Sequence, residues 1–245
     1  FTNWQPGYAM GQVAREKGYK TAITITWNYA AGKEATDGFK EGFEKAGGKV
    51  TKRLMLPFPK VEFQPLLTEI AAEKPDAVFT FFAGGGAVKF VKDYADAGLR
   101  TRVPLLASGF LTDGTLEAQG DAAQGLLTTL HYADGLDNPK DKVFRASYTK
   151  AYPAIAPDVY AVQGYDAAQL LATGLNAVKG DASQKGAMRQ AMQGATIDSP
   201  RGTFKLSKAG NPIQDIYLRE VRGTANQVIG IASKALADPA RGCKL

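Results

Sequence analysis

The chain carries one cysteine, Cys243, and one histidine, His131, among 245 residues. A single thiol cannot staple the fold internally, so folding must rest on a buried core and not on a disulfide. Cys243 reads either as an exposed or tail-packed thiol, or as half of a bridge whose other half lies outside this sequence. One histidine excludes a two-histidine metal site and a paired-histidine acid/base device. No Gly-x-Ser-x-Gly elbow, Walker A loop or Cys-x-x-Cys pair occurs. The expectation is therefore a protein that is not an enzyme and needs neither metal nor cofactor. No run approaches the roughly 18 to 20 apolar residues that a membrane span requires. No charged-then-apolar leader opens the chain, so any export signal is expected to have been removed already.

The rest of the composition is that of a soluble globular protein, with 44% hydrophobic and 22% charged residues. The net charge is +6, but basic residues sit beside acidic ones, as in Lys33-Glu34, Lys40-Glu41 and Glu44-Lys45. That mixture describes a solvated surface, whereas nucleic-acid binders gather their basic residues on one face. No nucleic-acid partner is expected.

Four β-then-α units can be placed from apolar runs that end in polar or Gly-rich residues. Phe1 to Gly7 reads as a loop leading into a helix. Lys20–Thr26 precedes a helix near 31–47, and Lys49–Leu56 precedes one near 62–74. Asp76–Phe82 precedes a helix near 86–97, and Val103–Ala107 a short one near 113–119. Such alternation means an α/β protein with a parallel, doubly wound sheet, whose ligands bind at the carboxyl ends of the strands.

Several residues fall at those ends. Gly84-Gly85-Gly86 follows the third strand, where it is either a tight strand-to-helix turn or a place where missing side chains let a ligand approach the backbone. Trp27 and Phe82 end apolar strands and read as core or cleft wall. His131 ends the run Gly125–Leu130 and is either structural or a pocket or hinge contact. Tyr165 and Asp166 lie on a helix and read as packing or lobe-closure residues.

Asn28-Tyr29-Ala30-Ala31-Gly32, followed by a helix through Phe39 and Phe43, resembles the Asp-Tyr-x-x-Gly segment of type I periplasmic binding proteins of ABC importers, in their Leu/Ile/Val-binding branch. Phe63–Ile70, Lys74–Val78, Asp96–Leu99, Gly120–Gly125, Asp137-Asn138-Pro139 and Gly164–Ala168 fall in the order that family uses. No one segment is specific; together they cover nearly the whole chain.

The resemblance implies two α/β lobes joined by three crossovers, with most of lobe one missing. Residues 1–132 and 199–245 would form ligand-binding lobe two, and 133–198 the hinge and helical remainder of lobe one. Hinge segments would lie at 131–137 and 197–201, with His131, Tyr132 and Ser199 as hinge candidates. Helices near 139–152, 158–179 and 183–194 would have lost their sheet. Tyr165, Ala168, Leu170, Leu171 and Leu175 would then form an exposed apolar face open to self-association.

In amino-acid-binding relatives, lobe two supplies an aromatic from the Asp-Tyr-x-x-Gly loop, a second aromatic after the third strand, and a carboxylate after the fourth that holds the ligand ammonium. Tyr29 matches the first. The second position falls at Ala83 and the third at Ser108-Gly109-Phe110, so both depart from the pattern. A ligand ammonium would be left unpaired there, while Tyr29 and Phe110 could sandwich a ring. The implied ligand-binding residues are Asn28, Tyr29, Ala83, Gly84, Ser108 and Phe110. The implied ligand is a small carboxylate, either an aromatic acid such as a benzoate or lignin-derived phenylpropanoid, or a branched-chain amino acid. The implied partner is the membrane permease of an ABC importer, and the implied location is periplasmic or otherwise extracytoplasmic. A ligand-sensing domain of a receptor or regulator shares this architecture, and a flavodoxin-like or nucleotide-dependent enzyme is a more distant rival.

Overall fold

Strand β1 (Thr21–Trp27) is buried at six consecutive positions, β3 (Ala77–Phe81) at all five and β4 (Leu105–Ser108) at all four. Strands apolar on both faces belong inside a parallel sheet covered on both sides. The computed structural model, which describes residues 1–133 and 135–243, has that arrangement. The order is β2 (Lys49–Leu56), β1, β3, β4, β5 (Leu127–Leu130), all parallel. Strand β8 (Pro212–Arg222) then adds antiparallel to β5, and β9 (Ala225–Leu236) pairs with β8.

Helices α3 (Gln64–Glu73) and α4 (Gly84–Asp96) cover one face of this sheet. Phe63, Leu67, Ile70, Phe90 and Tyr94 pack there against Ile23, Ile25, Trp27 and Val78. Helices α1 (Trp4–Glu16) and α2 (Ala30–Lys45) cover the other face. There Phe39 stacks on Phe79 with ring centres 4.4 Å apart.

The α1–α2 contact is made by backbone. Gly7 and Gly11 on one helix, and Gly38 and Gly42 on the other, each recur at i, i+4 and so share a face. A Cβ on Gly11 would lie 2.5 Å from the Phe43 amide nitrogen, and one on Gly38 or Gly42 would lie 3.0 Å from main-chain carbon of Trp4 or Tyr8. Only hydrogen fits at these positions.

The first three expected β-then-α units are present, with ends within about two residues. The short helix expected near 113–119 is instead a 3-10 turn at Gly109–Leu111 followed by the single turn α5 (Leu116–Gln119).

Contacts group the described residues into two units. The larger contains Thr2–Leu130 and Ile216–Ser233; the smaller contains Phe1 and the described parts of His131–Asp215 and Lys234–Leu245. In the smaller unit, α6 (Pro139–Ala151) starts at Asn138, whose side chain accepts a hydrogen bond from the Asp141 amide. Asp158 caps α7 (Val159–Ala177) in the same way, through the amides of Tyr160 and Ala161. Helix α8 (Lys185–Gln193) and the antiparallel pair β6 (Thr196–Ile197) and β7 (Phe204–Leu206) follow, around a small core of Ala195, Ile197 and Phe204 with Leu170 and Leu206.

Buried Arg201 ties this unit together. Its Nε lies 2.7 Å from Asp166 Oδ2, it donates to Gln214, and its guanidinium sits 4.0 Å from the Phe204 ring centre. Asp166, read from the sequence as a packing or lobe-closure residue, is one half of this buried ion pair. Tyr165 is half-buried, edge-on to Phe144 at 5.3 Å.

Residues 199–245 were expected in lobe two; contacts group 199–215 and those described beyond 233 with the helices of the smaller unit, while β7 within that stretch pairs with β8. The reason is local: Ser199 Oγ accepts from the Arg201 amide, and Arg201 is held by Asp166 and Gln214. The chain passes between units at 1/2, 130/131, 215/216 and 233/234; Ser199 lies inside one unit. Of the anticipated apolar face, Ala168, Leu171 and Leu175 are exposed, whereas Tyr165 and Leu170 are half-buried against Phe144 and the small core.

His131 is buried, stacked on Phe1 at 5.0 Å, with its Nε2 3.2 Å from the Gln163 amide. Tyr132 is buried and donates to Asp141 Oδ1 at 3.0 Å; burial first, and the Asp141 charge second, push its phenol up. Asp134, inside the expected hinge segment 131–137, lies outside the described residues.

Candidate functional site

Parallel strands present their carboxyl ends together, and here those ends carry rings. Trp27 closes β1 and is buried, its indole N–H donating to the Lys60 carbonyl at 2.7 Å. Asn28 is exposed and its backbone N–H donates to the Leu56 carbonyl at 2.8 Å, which ties the end of β1 to the end of β2 before the chain turns into α2.

Tyr29, in extended conformation at the α2 cap position, is half-buried. Its ring stacks on Phe58 at 5.4 Å and 18°, meets Trp27 edge-on at 5.9 Å, and lies 6.3 Å from Phe81. Burial pushes its phenol up to about 12, so the hydroxyl is a neutral donor at physiological pH.

After β3, Phe82 turns into the core beside Trp27 and Ala83 is half-buried. Gly84 has φ +56, the left-handed region that favours glycine. No atom lies within 4 Å of where a Cβ on Gly84 or Gly85 would stand. Gly86 differs: its Cβ would run into the Trp27 indole. The glycine run is therefore open at two positions and a packing necessity at the third.

After β4, Ser108 is fully buried, and its hydroxyl finds no hydrogen-bond partner among the described residues. Phe110 is also buried, edge-on to Phe81 at 6.0 Å. Phe81 is in ring contact with both Tyr29 and Phe110. The row runs Phe58, Tyr29, Phe81, Phe110, contributed by four different segments. Sequence reading missed Phe58 and Phe81. The Pro57-Phe58-Pro59 sequence, an aromatic held in a loop by two prolines, was the available signal for the first.

Beneath this row lies a buried ion pair. Arg219 of β8 is 0% exposed, and its Nη2 lies 2.6 Å from Asp113 Oδ2, just past the 3-10 turn. Asp113 is the first acidic side chain after β4, and this cation neutralises it. Among the described residues, no group of three or more His, Cys, Asp or Glu is placed to hold a metal.

Residues 1–226 match the model of the family described as periplasmic binding protein. The chain belongs to that family. Its sheet is the family's α/β architecture. The chain is 50% identical, with a TM-score of 0.94, to a solute-binding protein of an ABC transporter from R. palustris crystallised with benzoate; the match covers 100% of this chain and 67% of that one. A second solute-binding protein, from Rhodopseudomonas palustris HaA2 in complex with p-hydroxybenzoic acid, is 31% identical with a TM-score of 0.92, over 99% of this chain and 68% of that one. The Leu/Ile/Val-binding protein homolog 6 of Brucella melitensis is 34% identical over 226 residues, 90% of this chain. The chain spans 58% of the length of that curated relative.

Proposed function

We propose that this chain is the ring-recognising part of an extracytoplasmic solute receptor that delivers an aromatic carboxylate to the permease of an ABC importer. The observation that carries the reading is the row Phe58, Tyr29, Phe81 and Phe110 at the carboxyl strand ends, in a place where Asp113, the first acid after β4, is already paired with Arg219. Rings in contact favour another flat ring, in stacked or edge-on geometry. An amino acid would bring an ammonium with no carboxylate to meet it, and a buried unpaired cation costs several kcal/mol. The benzoate and p-hydroxybenzoic acid carried by the two R. palustris relatives support the same choice. Asn28, Tyr29, Ala83, Gly84, Ser108 and Phe110 are the ligand-facing segment of this reading, joined by Phe58 and Phe81.

No reaction is needed. A ligand that contacts both lobes more fully when they close shifts the population toward the closed state, which the permease reads. The chain passages at 130/131, 215/216 and 233/234 are where backbone torsions would change. Among the described residues no helix is long and apolar enough to cross a membrane, which suits a receptor captured from outside the bilayer. The exposed Ala168, Leu171 and Leu175 on α7 support self-association of the 245-residue chain, testable by light scattering across a dilution series.

The test of the ligand is a thermal-shift panel of benzoate, p-hydroxybenzoate and leucine on the native-length protein. A true ligand at about 100 times its dissociation constant adds roughly 2.7 kcal/mol, a rise of several degrees. A rise with the benzoates alone is expected. A rise with leucine alone would reject the aromatic reading and keep the receptor.

A further inference from the structure

We propose that Arg219 is a positioning residue, which presets the turn carrying Phe110 before any ligand arrives. Its consequence for binding rests on the aromatic-acid reading above; the presetting itself rests on geometry alone.

Arg219 lies on β8 opposite Thr128 of β5 and is wholly buried. Its Nε donates to Thr128 Oγ1 at 3.1 Å. Nη2 donates to the Gly109 carbonyl at 3.3 Å, the Thr112 hydroxyl at 3.5 Å and Asp113 Oδ2 at 2.6 Å. One nitrogen thus addresses three acceptors on one turn, while the other end of the planar guanidinium is fixed to the neighbouring strand. A guanidinium holds its donors in a rigid fork, so anchoring one edge orients the other. Thr112 in turn donates to Asn226 Oδ1 at 2.7 Å, a second tie from the β9 side.

Phe110 stands between the two tied residues, Gly109 and Thr112. The amides of Thr112 and Asp113 both donate to the Gly109 carbonyl at 3.0 Å, the same oxygen that Arg219 holds. The ring of Phe110 against Phe81 therefore takes its place from a turn that Arg219 ties. A turn ordered in advance leaves less conformational freedom to be lost on binding.

A buried arginine can also be no more than a structural clasp, and the experiment separates the two roles. Arg219→Lys keeps the charge and removes the fork. Hydrogen exchange in the native-length protein should show the Thr112 and Asp113 amides losing protection by about tenfold while those of β1 and β3 keep theirs. The dissociation constant for benzoate should rise several-fold, and that rise should vanish in a Phe110→Ala background. Unchanged protection at Thr112 and Asp113 would overturn the presetting. An equal rise with and without the Phe110 ring would overturn its link to ring recognition. A protein that binds no aromatic acid would remove the aromatic-acid reading, while the exchange result still decides whether the turn is preset. Should the lysine variant fail to fold, Thr112→Val removes one acceptor and is read by the same two measurements.

Discussion

Gly109 and Arg219 exclude any larger neighbour for each other: a Cβ on Gly109 would stand 2.9 Å from Arg219 Cζ and 2.7 Å from Leu130 Cβ. The guanidinium cannot step aside, because Thr128, Thr112 and Asp113 hold it. Gly109→Ala should therefore destabilise the fold by about 1–3 kcal/mol, the usual range for a methyl forced into a filled site. A denaturant midpoint that falls with unchanged slope is the expected reading; no fall would mean that the turn is looser than its contacts imply.

Phe58 separates recognition from folding. Its side chain is 58% exposed yet stacked on Tyr29. Phe58→Ala should cost below about 1 kcal/mol of stability, since most of the ring is already in water. On the proposed function it should weaken aromatic-acid binding by about 0.5–1.5 kcal/mol, the worth of a ring pair beyond its buried area. Calorimetric titration of benzoate into both proteins compares the two losses directly.

Tyr29 should be visible in an alkaline titration. Burial pushes its phenol up to about 12 from an ordinary 10.0, so the folded chain keeps this proton at pH values where the unfolded chain has lost it. The contribution to stability is complete below pH 10 and is lost as pH climbs from about 10 toward about 12. Phenolate absorbance should show a late step that Tyr29→Phe removes. Disappearance of an early step instead would place the ring in water.

Asp166 and Arg201 make the corresponding test in the smaller unit. Asp166→Asn leaves the arginine charge buried without its counter-ion, a loss of about 3–5 kcal/mol. Adding Arg201→Met should recover much of that loss, because the desolvated charge is gone. Equal instability of the single and double variants would point to packing around Phe204 in place of the ion pair.

The strands of the larger unit were legible because β1, β3 and β4 are apolar runs bounded by polar or Gly-rich residues, and Tyr29 because its segment resembles a family motif. What escaped notice was long-range. Asp113 and Arg219 are 106 positions apart, and nothing in either neighbourhood marks one as the other's partner. Asp166 and Arg201, 35 apart, concealed the unit to which Ser199 belongs in the same way. The two-residue strand β6 has no periodicity to read. Phe110 was legible as an aromatic at a strand end, but its burial against Phe81 depends on how far the 3-10 turn folds back.

The glycines where α1 meets α2 bear on mechanics. Side chains between helices act as bearings: they can change rotamer and let one cylinder slip along another. Here Gly7, Gly11, Gly38 and Gly42 remove the bearings and leave main chain against main chain. The two helices form a welded beam, so a force applied to α1 is delivered without slack to α2, whose N-terminal cap is Tyr29.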